Sequence, residues 1–474
     1  MSFTATLIAV TRVHAYSDDA LGDLDAVGLV TAIQEGEVSI PEVVDAAIAR
    51  AERLQPDLNA LAYVAFDRAR AEARDPRGGF FAGVPTLLKD NVDVAGMPTQ
   101  QGCDAYRARP LQRDGDVARM FLATGLVPIG KSQLSEFGFS PSAEHPRLGP
   151  VRSPWDVART AGASSAGAGA LVAAGAVPLA HGNDGGGSIR IPAAVNGLVG
   201  LKPTRDRLAQ DRLNRQLPVR IVADGVLTRS VRDTAAFLRA AEHVYRALQL
   251  PPVGDVTGPG RKRLRVAVHT AGIGRSSSPE VAELTLKTAQ LLEELGHHVE
   301  HVDHPAPRTI PEDFLLYWSM LAMLIVRTGR QLGPGWDARR LDHLTLGLDR
   351  HCRRRMHRLP GAIARLRRTS RISALFHQTY DVSLSPTLAH ETPLVGHLDP
   401  TLDYDTVMER ILDWVAFTPW QNATGDPSLS LPLATTAAGL PQGMLFSAGA
   451  GREALLLELA YELEEARPWA SLRA

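Results

Sequence analysis

Residues 177–190 read Val177-Pro178-Leu179-Ala180-His181-Gly182-Asn183-Asp184-Gly185-Gly186-Gly187-Ser188-Ile189-Arg190. The apolar run Val177 to Ala180 predicts a short strand that passes straight into a polar, glycine-rich turn. With no Cβ on Gly185, Gly186 or Gly187, successive backbone N–H groups can converge on one point. Ser188 follows directly and would present its hydroxyl beside that nest. Acyl transfer needs a nucleophile and an oxyanion hole within ~3 Å of one carbonyl. Taken alone, residues 183–190 fit a flexible loop with an exposed serine equally well, so the surrounding chain must decide.

Working outward, Gly162-Ala163-Ser164-Ser165-Ala166-Gly167 opens an Ala/Gly helix, Ala166 to Ala174, with so little side-chain bulk that it must pack very closely. A serine here also suits an N-cap. Farther upstream, Gly83 to Asn91 is an apolar, strand-like run closed by Lys89. Desolvation there would lower the amine's pKa and make it a candidate base, whereas an ordinary lysine is a solvated surface charge. Leu126 to Ile129 predicts a strand after a helix from Val117 to Thr124 that stops at Gly125. Leu264 to Val268, Pro279 to Leu295 and His297 to Val302 read as strand, amphipathic helix and strand, implying parallel pairing. The first 75 residues read as helix. Ser39 and Glu42 form a capping box before the helical period of Val43, Val44, Ala47, Ile48 and Ala51. Residues 311–376 read as Leu- and Arg-rich helix, and a last helix spans about Glu453 to Glu465.

Composition narrows the class. The chain has 474 residues, 51 Lys+Arg against 52 Asp+Glu, 45% apolar and 22% charged residues. That length allows two or three domains of roughly 100–200 residues, or one large α/β core. The balance excludes wholesale disorder, a fibre and a membrane protein. A net charge of −1 gives no global pull on nucleic acid or anionic lipid. Two distant cysteines, Cys103 and Cys352, are too few for a disulfide scaffold, so a reducing cytoplasm is expected. Leu7 to Val10 is apolar but lacks a basic region before it, which predicts no signal peptide. Phe314 to Val326 falls short of the ~20 residues that span a bilayer and predicts a buried helix.

Together the three segments resemble the amidase signature family. Its G-V-P-x-x-x-K-D falls on Gly83 to Asp90, its G-K-x-x-x-S-E-F on Gly130 to Phe137, and its N-P-W-D on Ser153 to Asp156. Its G-x-D-x-G-G-S-I-R-x-P-A is Gly182 to Ala193 and its G-L-V-G-L-K-P-T is Gly197 to Thr204; Asn422 to Pro427 and Glu453 to Leu456 also match. The resemblance implies a single α/β/α sandwich around a large mixed, twisted sheet. It divides the chain into an N-terminal helical segment, 1–75, packed on the body, and a catalytic domain, 76–474, with a variable, mainly helical insertion at about 305–376. It implies a Ser–cisSer–Lys triad: Ser188 as nucleophile, Ser164, preceded by a cis peptide bond, as bridge, and neutral Lys89 drawing the proton through it. It places the oxyanion hole on the N–H groups of Gly185, Gly186, Gly187 and Ser188, an Asp184–Arg190 ion pair bracing the loop, and substrate contacts at Ala163 and Ser165.

The implied reaction is hydrolysis of a linear or cyclic carboxamide through an acyl-enzyme on Ser188, with no metal or other cofactor. The implied partner is a small-molecule amide, with no nucleic acid and no membrane; a homodimer stays open. The loop is similar to that of stand-alone bacterial amidases, cyclic-oligoamide hydrolases included. The family's G-G-S-S-G-G-S departs here to Gly162 to Ala168, where Ala163 and Ala166 replace glycines and add methyls near the acyl pocket. The pocket walls are expected from about 205–225, 311–375 and 383–398, where the resemblance gives out. Two alternatives remain: the glutaminase A subunit of a tRNA-dependent amidotransferase, and a non-catalytic binding or scaffold protein. Ile221 to Val226 counts against the first, because that family continues with S-S-L-D-Q-x-G-P after the Lys202-Pro203-Thr204 segment.

Four other features carry weaker signals. Gly125 to Ser132 fits the Walker A pattern, but it follows a helix and is itself an apolar strand containing Pro128. His297, His298, His301 and His304 alternate between strand faces, which disfavours one metal site. His181 has no G-x-S-x-G elbow to join. Residues 350–371 hold nine arginines and no acid, reading as the solvated face of a helix pair, with an acidic partner, RNA or anionic substrate as the functional alternative.

Overall fold

The computed structural model describes residues 10–473, so most of the apolar stretch Leu7 to Val10 lies outside the described residues. The capping box closes as expected: Ser39 N donates to Glu42 Oε2 at 2.9 Å and starts the helix Ile40–Leu58. Val43, Val44, Ala47, Ile48 and Ala51 are its buried face. The N-terminal segment is not purely helical, however. Leu61–Val64 alternates half-buried and exposed residues and pairs antiparallel with Val127–Ser132. On the other side of Val127–Ser132, Pro85–Lys89 pairs in parallel and completes a three-stranded sheet. The Walker-like stretch is therefore strand through Ser132.

The main sheet has eight strands. From one edge the order is His298–His301, Arg265–Val268, Val382–Pro386, Pro441–Ala448, Ser428–Thr435, Val199–Lys202, Ala223–Thr228 and Leu179–Asp184. Arg265–Val268 is parallel to both of its neighbours, as the strand–helix–strand reading requires, and the other pairs are antiparallel. This is the mixed sheet of the expected α/β/α sandwich. The terminal strand begins two residues later than predicted. It runs from Leu179 on through His181, Gly182 and Asn183, because Ala223–Thr228 supplies a continuous antiparallel ladder from Thr228↔Leu179 to Ala223↔Asp184. Backbone pairing here outlasts the apolar side chains that mark a strand in sequence.

The Ala/Gly helix, Ala166–Ala173, is buried throughout. A Cβ on Gly167 would lie 2.2 Å from Ala60 O and 2.6 Å from Gln133 N, which explains the small side chains. This close approach brings Ser164, at its entry, up to both sheets. Helices Ile310–Thr328, His343–Arg355 and Leu359–Thr379 pack on one another beyond the sheet. All nine arginines of 350–371 are exposed, and two meet acids outside the run, Arg353 with Asp349 at 2.9 Å and Arg365 with Asp313 at 2.6 Å. Among the described residues no helix is long and apolar enough to cross a membrane.

Candidate active site

Lys89 ends a fully buried strand and is itself 0% exposed. Its Nζ lies 2.7 Å from Ser164 Oγ, 2.7 Å from Asn183 Oδ1 and 3.3 Å from Asn183 O. Among the described residues no carboxylate is within ion-pair reach of it. Burial therefore pulls its pKa down to about 7, opposed only by the fields of Asp224 and Asp184. The neighbouring strand makes the contrast. Lys131 is equally buried, but its ammonium meets Asp90 at 3.4 Å, Thr99 Oγ1 at 2.7 Å and Pro98 O at 2.6 Å. The Lys89 backbone is fixed too: its N–H donates to His181 Nδ1 at 3.3 Å, and His181 Nε2 turns its proton to Asp224 Oδ1 at 3.0 Å. His181 thus belongs to the scaffold of the lysine and not to a Ser-His-Asp triad.

The Ala163–Ser164 peptide bond is cis. Ser188 follows the triple glycine and keeps 9% exposure, enough to meet a ligand. No hydrogen bond joins its hydroxyl to that of Ser164, but both side chains face one cavity. The loop is held by Asp184. Its carboxylate receives Arg190 Nε and Nη2, each at 2.9 Å, with the N–H of Gly187 at 2.8 Å and that of Ile189 at 3.1 Å. Arg190 is further tied to Gln421 Oε1 at 2.9 Å and Asn422 Oδ1 at 2.6 Å. The guanidinium holds the Asp184 carboxyl far below the usual carboxylate range although burial opposes this. Gly187 has φ +136°, and a Cβ there would meet Thr418 Oγ1 at 2.4 Å.

Two expectations need correction. Gly187 N–H is already engaged by Asp184, so the N–H groups left without an acceptor among the described residues are those of Gly185, Gly186 and Ser188. Ala163 and Ser165 do not line the cavity; both are 0% exposed. Ser165 Oγ instead donates to Ser188 O at 2.5 Å, bracing the Ser188 backbone, and Ala163 packs into the main core.

The cavity measures about 700 Å³. Its walls are mainly apolar, with Phe137, Phe139, Phe314, Trp318, Leu321 and Trp420 among them. Residues within 211–224 and 310–332 contribute, but the rest of the expected 311–375 and all of 383–398 do not; the segment 411–420 takes part instead. On the helix Ile310–Thr328, Trp318 faces the cavity, whereas Met320 and Met323 are buried in the core behind it. The histidine-rich strand is a sheet edge with His298 and His301 exposed. His304, beyond it, packs edge-on against His269 at 4.9 Å and lines the cavity.

Sequence reading missed Asn91, Asn183, Asp224, Thr418 and the role of Asn422. It also missed a cluster of Glu136, His145 and Asp342, whose side-chain oxygen and nitrogen atoms lie within 4.8 Å of one another. Their Glu136 Oε2, His145 Nε2 and Asp342 Oδ1 have no hydrogen-bond partner. A metal would need a lone pair on His145 Nε2. His145 Nδ1 accepts the N–H groups of Arg147 at 3.1 Å and Leu148 at 2.9 Å, so the ring proton sits on Nε2 and the donor set does not suit a metal. Burial raises both carboxyls, and the charge of Glu136 raises Asp342 further.

A family model described as Amidase matches residues 42–457. A protein of Mycobacterium leprae (strain TN) named "Putative amidase AmiC" is 62% identical over 464 residues, covering 98% of this chain and 99% of that one. A 6-aminohexanoate-cyclic-dimer hydrolase of Pseudomonas sp. (strain NK87) is 32% identical over 483 residues, 95% of this chain and 96% of that one. The solved structure of a 6-aminohexanoate cyclic dimer hydrolase with substrate superposes with a TM-score of 0.86 at 29% identity, over 96% of this chain and 98% of that one.

Proposed function

This chain belongs to the amidase family, and from that premise we propose that Ser188, Ser164 and Lys89 form the relay by which it hydrolyses amides. The observation that carries the reading is the buried Lys89 amine, without a carboxylate partner, 2.7 Å from the hydroxyl of Ser164. An amine of this kind is in large part unprotonated near neutral pH and can accept a proton at little cost. Ser164 passes its proton to Lys89 and takes one from Ser188, whose oxygen attacks the amide carbonyl. The negative charge that develops on the carbonyl oxygen meets the N–H groups of Gly185, Gly186 and Ser188. Collapse expels the amine, which takes the stored proton back through Ser164. Water then enters by the same route and releases the acid. The two serine hydroxyls face one cavity without a direct hydrogen bond, and such contacts commonly tighten when substrate fills a site.

The apolar walls and the volume of about 700 Å³ support a substrate with an aliphatic or aryl body. Likeness to hydrolases named for the 6-aminohexanoate cyclic dimer brings cyclic ω-amino-acid dimers into that class. The test is a panel of aliphatic, aryl and cyclic amides and glutamine, with acid and amine quantified by mass spectrometry, beside Ser188→Ala and Lys89→Ala. Each variant should lose at least ~1,000-fold in kcat while keeping its melting temperature. Near-normal turnover by Ser188→Ala would falsify the assignment.

A further inference from the structure

A neutral amine has two N–H bonds and one lone pair, and at Lys89 three oxygens compete for them. Two belong to Asn183, its Oδ1 at 2.7 Å and its backbone O at 3.3 Å, and both can only accept. The third, Ser164 Oγ at 2.7 Å, can accept or donate. Once Asn183 has taken both N–H bonds, the lone pair is left facing the Ser164 hydroxyl. That is the one arrangement in which all three contacts are hydrogen bonds and the relay runs from serine to lysine. With the amine donating to Ser164 instead, the relay would point the wrong way.

Asn91 holds the Asn183 amide in place. The two amides form a reciprocal pair, Asn91 Nδ2 donating to Asn183 Oδ1 and Asn183 Nδ2 donating to Asn91 Oδ1, each at 3.2 Å. Turned over alone, Asn183 would lose both bonds; turned over together with Asn91 it would keep them, but either way its NH₂ would be set against the amine. We propose that the Asn183 side chain, held by Asn91, is a positioning group that occupies the N–H bonds of Lys89 and turns its lone pair onto Ser164. The inference rests on the relay described above and adds to it the part that gives it direction.

Charge around the amine decides how variants should behave. Asp184 acts on it from the strand that carries Asn183 and Asp224 from the neighbouring strand Ala223–Thr228, and His181 accepts from its backbone. Asp184 is spent on Arg190, and Asp90, next in chain, is turned toward Lys131 and the N–H of Gln100. Asn183→Asp would set a carboxylate at hydrogen-bond distance from Nζ. It would favour the ammonium, which cannot accept a proton, so the acid limb of the rate profile should move up by ~1 unit or more. Asn183→Ala removes an acceptor that stabilises the ammonium. Its limb should move down, while the plateau falls ~10-fold or more because the lone pair is no longer aimed. Asn91→Ala should lower the plateau without introducing a charge.

The experiment follows inactivation of the full-length chain by a fluorophosphonate from pH 5 to 10, which reports attack by Ser188 without the natural amide. Melting curves run alongside, and Lys89→Ala is the control. Limbs displaced in opposite directions for Asn183→Asp and Asn183→Ala support the proposal. Limbs that coincide with the parent's, with Lys89→Ala inert, overturn it and leave the relay standing. Parental labelling of Lys89→Ala overturns the relay itself and this inference with it.

Discussion

Two lysines on adjacent strands, Lys89 and Lys131, are both wholly buried, yet only one has a carboxylate within reach. That partner, together with Ser164 Oγ at 2.7 Å from Nζ, sets Lys89, the proposed base, apart from Lys131. For the intact protein, amide turnover should rise as pH climbs through about 7, where Lys89 loses its proton, and then level off. A kcat/KM profile with no ionisation near neutrality would contradict the assignment. The Asp184–Arg190 pair is the opposite case, buried and fully bonded. Arg190→Ala leaves a carboxylate stranded at 0% exposure and should cost about 3–5 kcal/mol in denaturant melts, along with activity. Ser188, Ser164, Lys89, Asp184 and Arg190 were all legible, because each sits in a motif with its own spacing. The roles of Asn183, Asp224 and Asn422 were not, although Asn183 and Asn422 lie within matched motifs. They act through side-chain bonds between segments far apart in the chain, and spacing along the chain does not mark an asparagine or aspartate as a partner of a lysine or arginine.

At the scale of elements, the helix Ile310–Thr328 shows where periodicity runs out. It is apolar on nearly every side, so the pattern predicts burial but cannot separate the side that walls a cavity from the side that fills a core. The structure gives Trp318 to the first and Met320 and Met323 to the second. Trp318→Ala should raise KM for bulky amides with kcat almost unchanged. Met320→Ala should leave KM alone and cost ~2–5 kcal/mol of stability. The contact between Glu136 and Asp342 joins another pair of elements, the turn before Phe137 and the start of helix His343–Arg355, where Asp342 N donates to Glu136 Oε1 at 2.9 Å. Burial raises the Asp342 carboxyl above its unfolded value, so the folded chain holds a proton that the unfolded chain releases. Its contribution is present in acid and lost as pH rises through the folded value. Asp342→Asn keeps the shape without the proton. Its melting temperature should therefore gain on that of the parent between pH 5 and pH 9, and parallel curves would contradict the account.

Across the whole molecule, the amine and the nucleophile come from different sheets. Pro85–Lys89 lies in the three-stranded sheet, and Leu179–Asp184 is the edge of the eight-stranded one. No backbone ladder joins them. Thr86 Oγ1 donates to Leu179 O at 3.0 Å, and Lys89 N to His181 Nδ1 at 3.3 Å, so side chains do the joining. This arrangement was not legible, although the motifs on either side were. A strand's neighbours across a sheet edge are set by how two bodies dock, and neither body carries that in its own hydrophobic pattern. Side-chain joints open more easily than ladders, so rising urea should abolish activity before the far-ultraviolet signal moves. Superimposed transitions would show that the joint is as strong as the sheets.

The braces of the nucleophile loop come later still, from Gln421 and Asn422, which grip Arg190. A growing chain on the ribosome displays its serine long before those two residues exist. A chain cut before Gln421 would carry Ser188, Ser164 and Lys89 but lack both side chains that grip Arg190, so it is expected to turn over no amide.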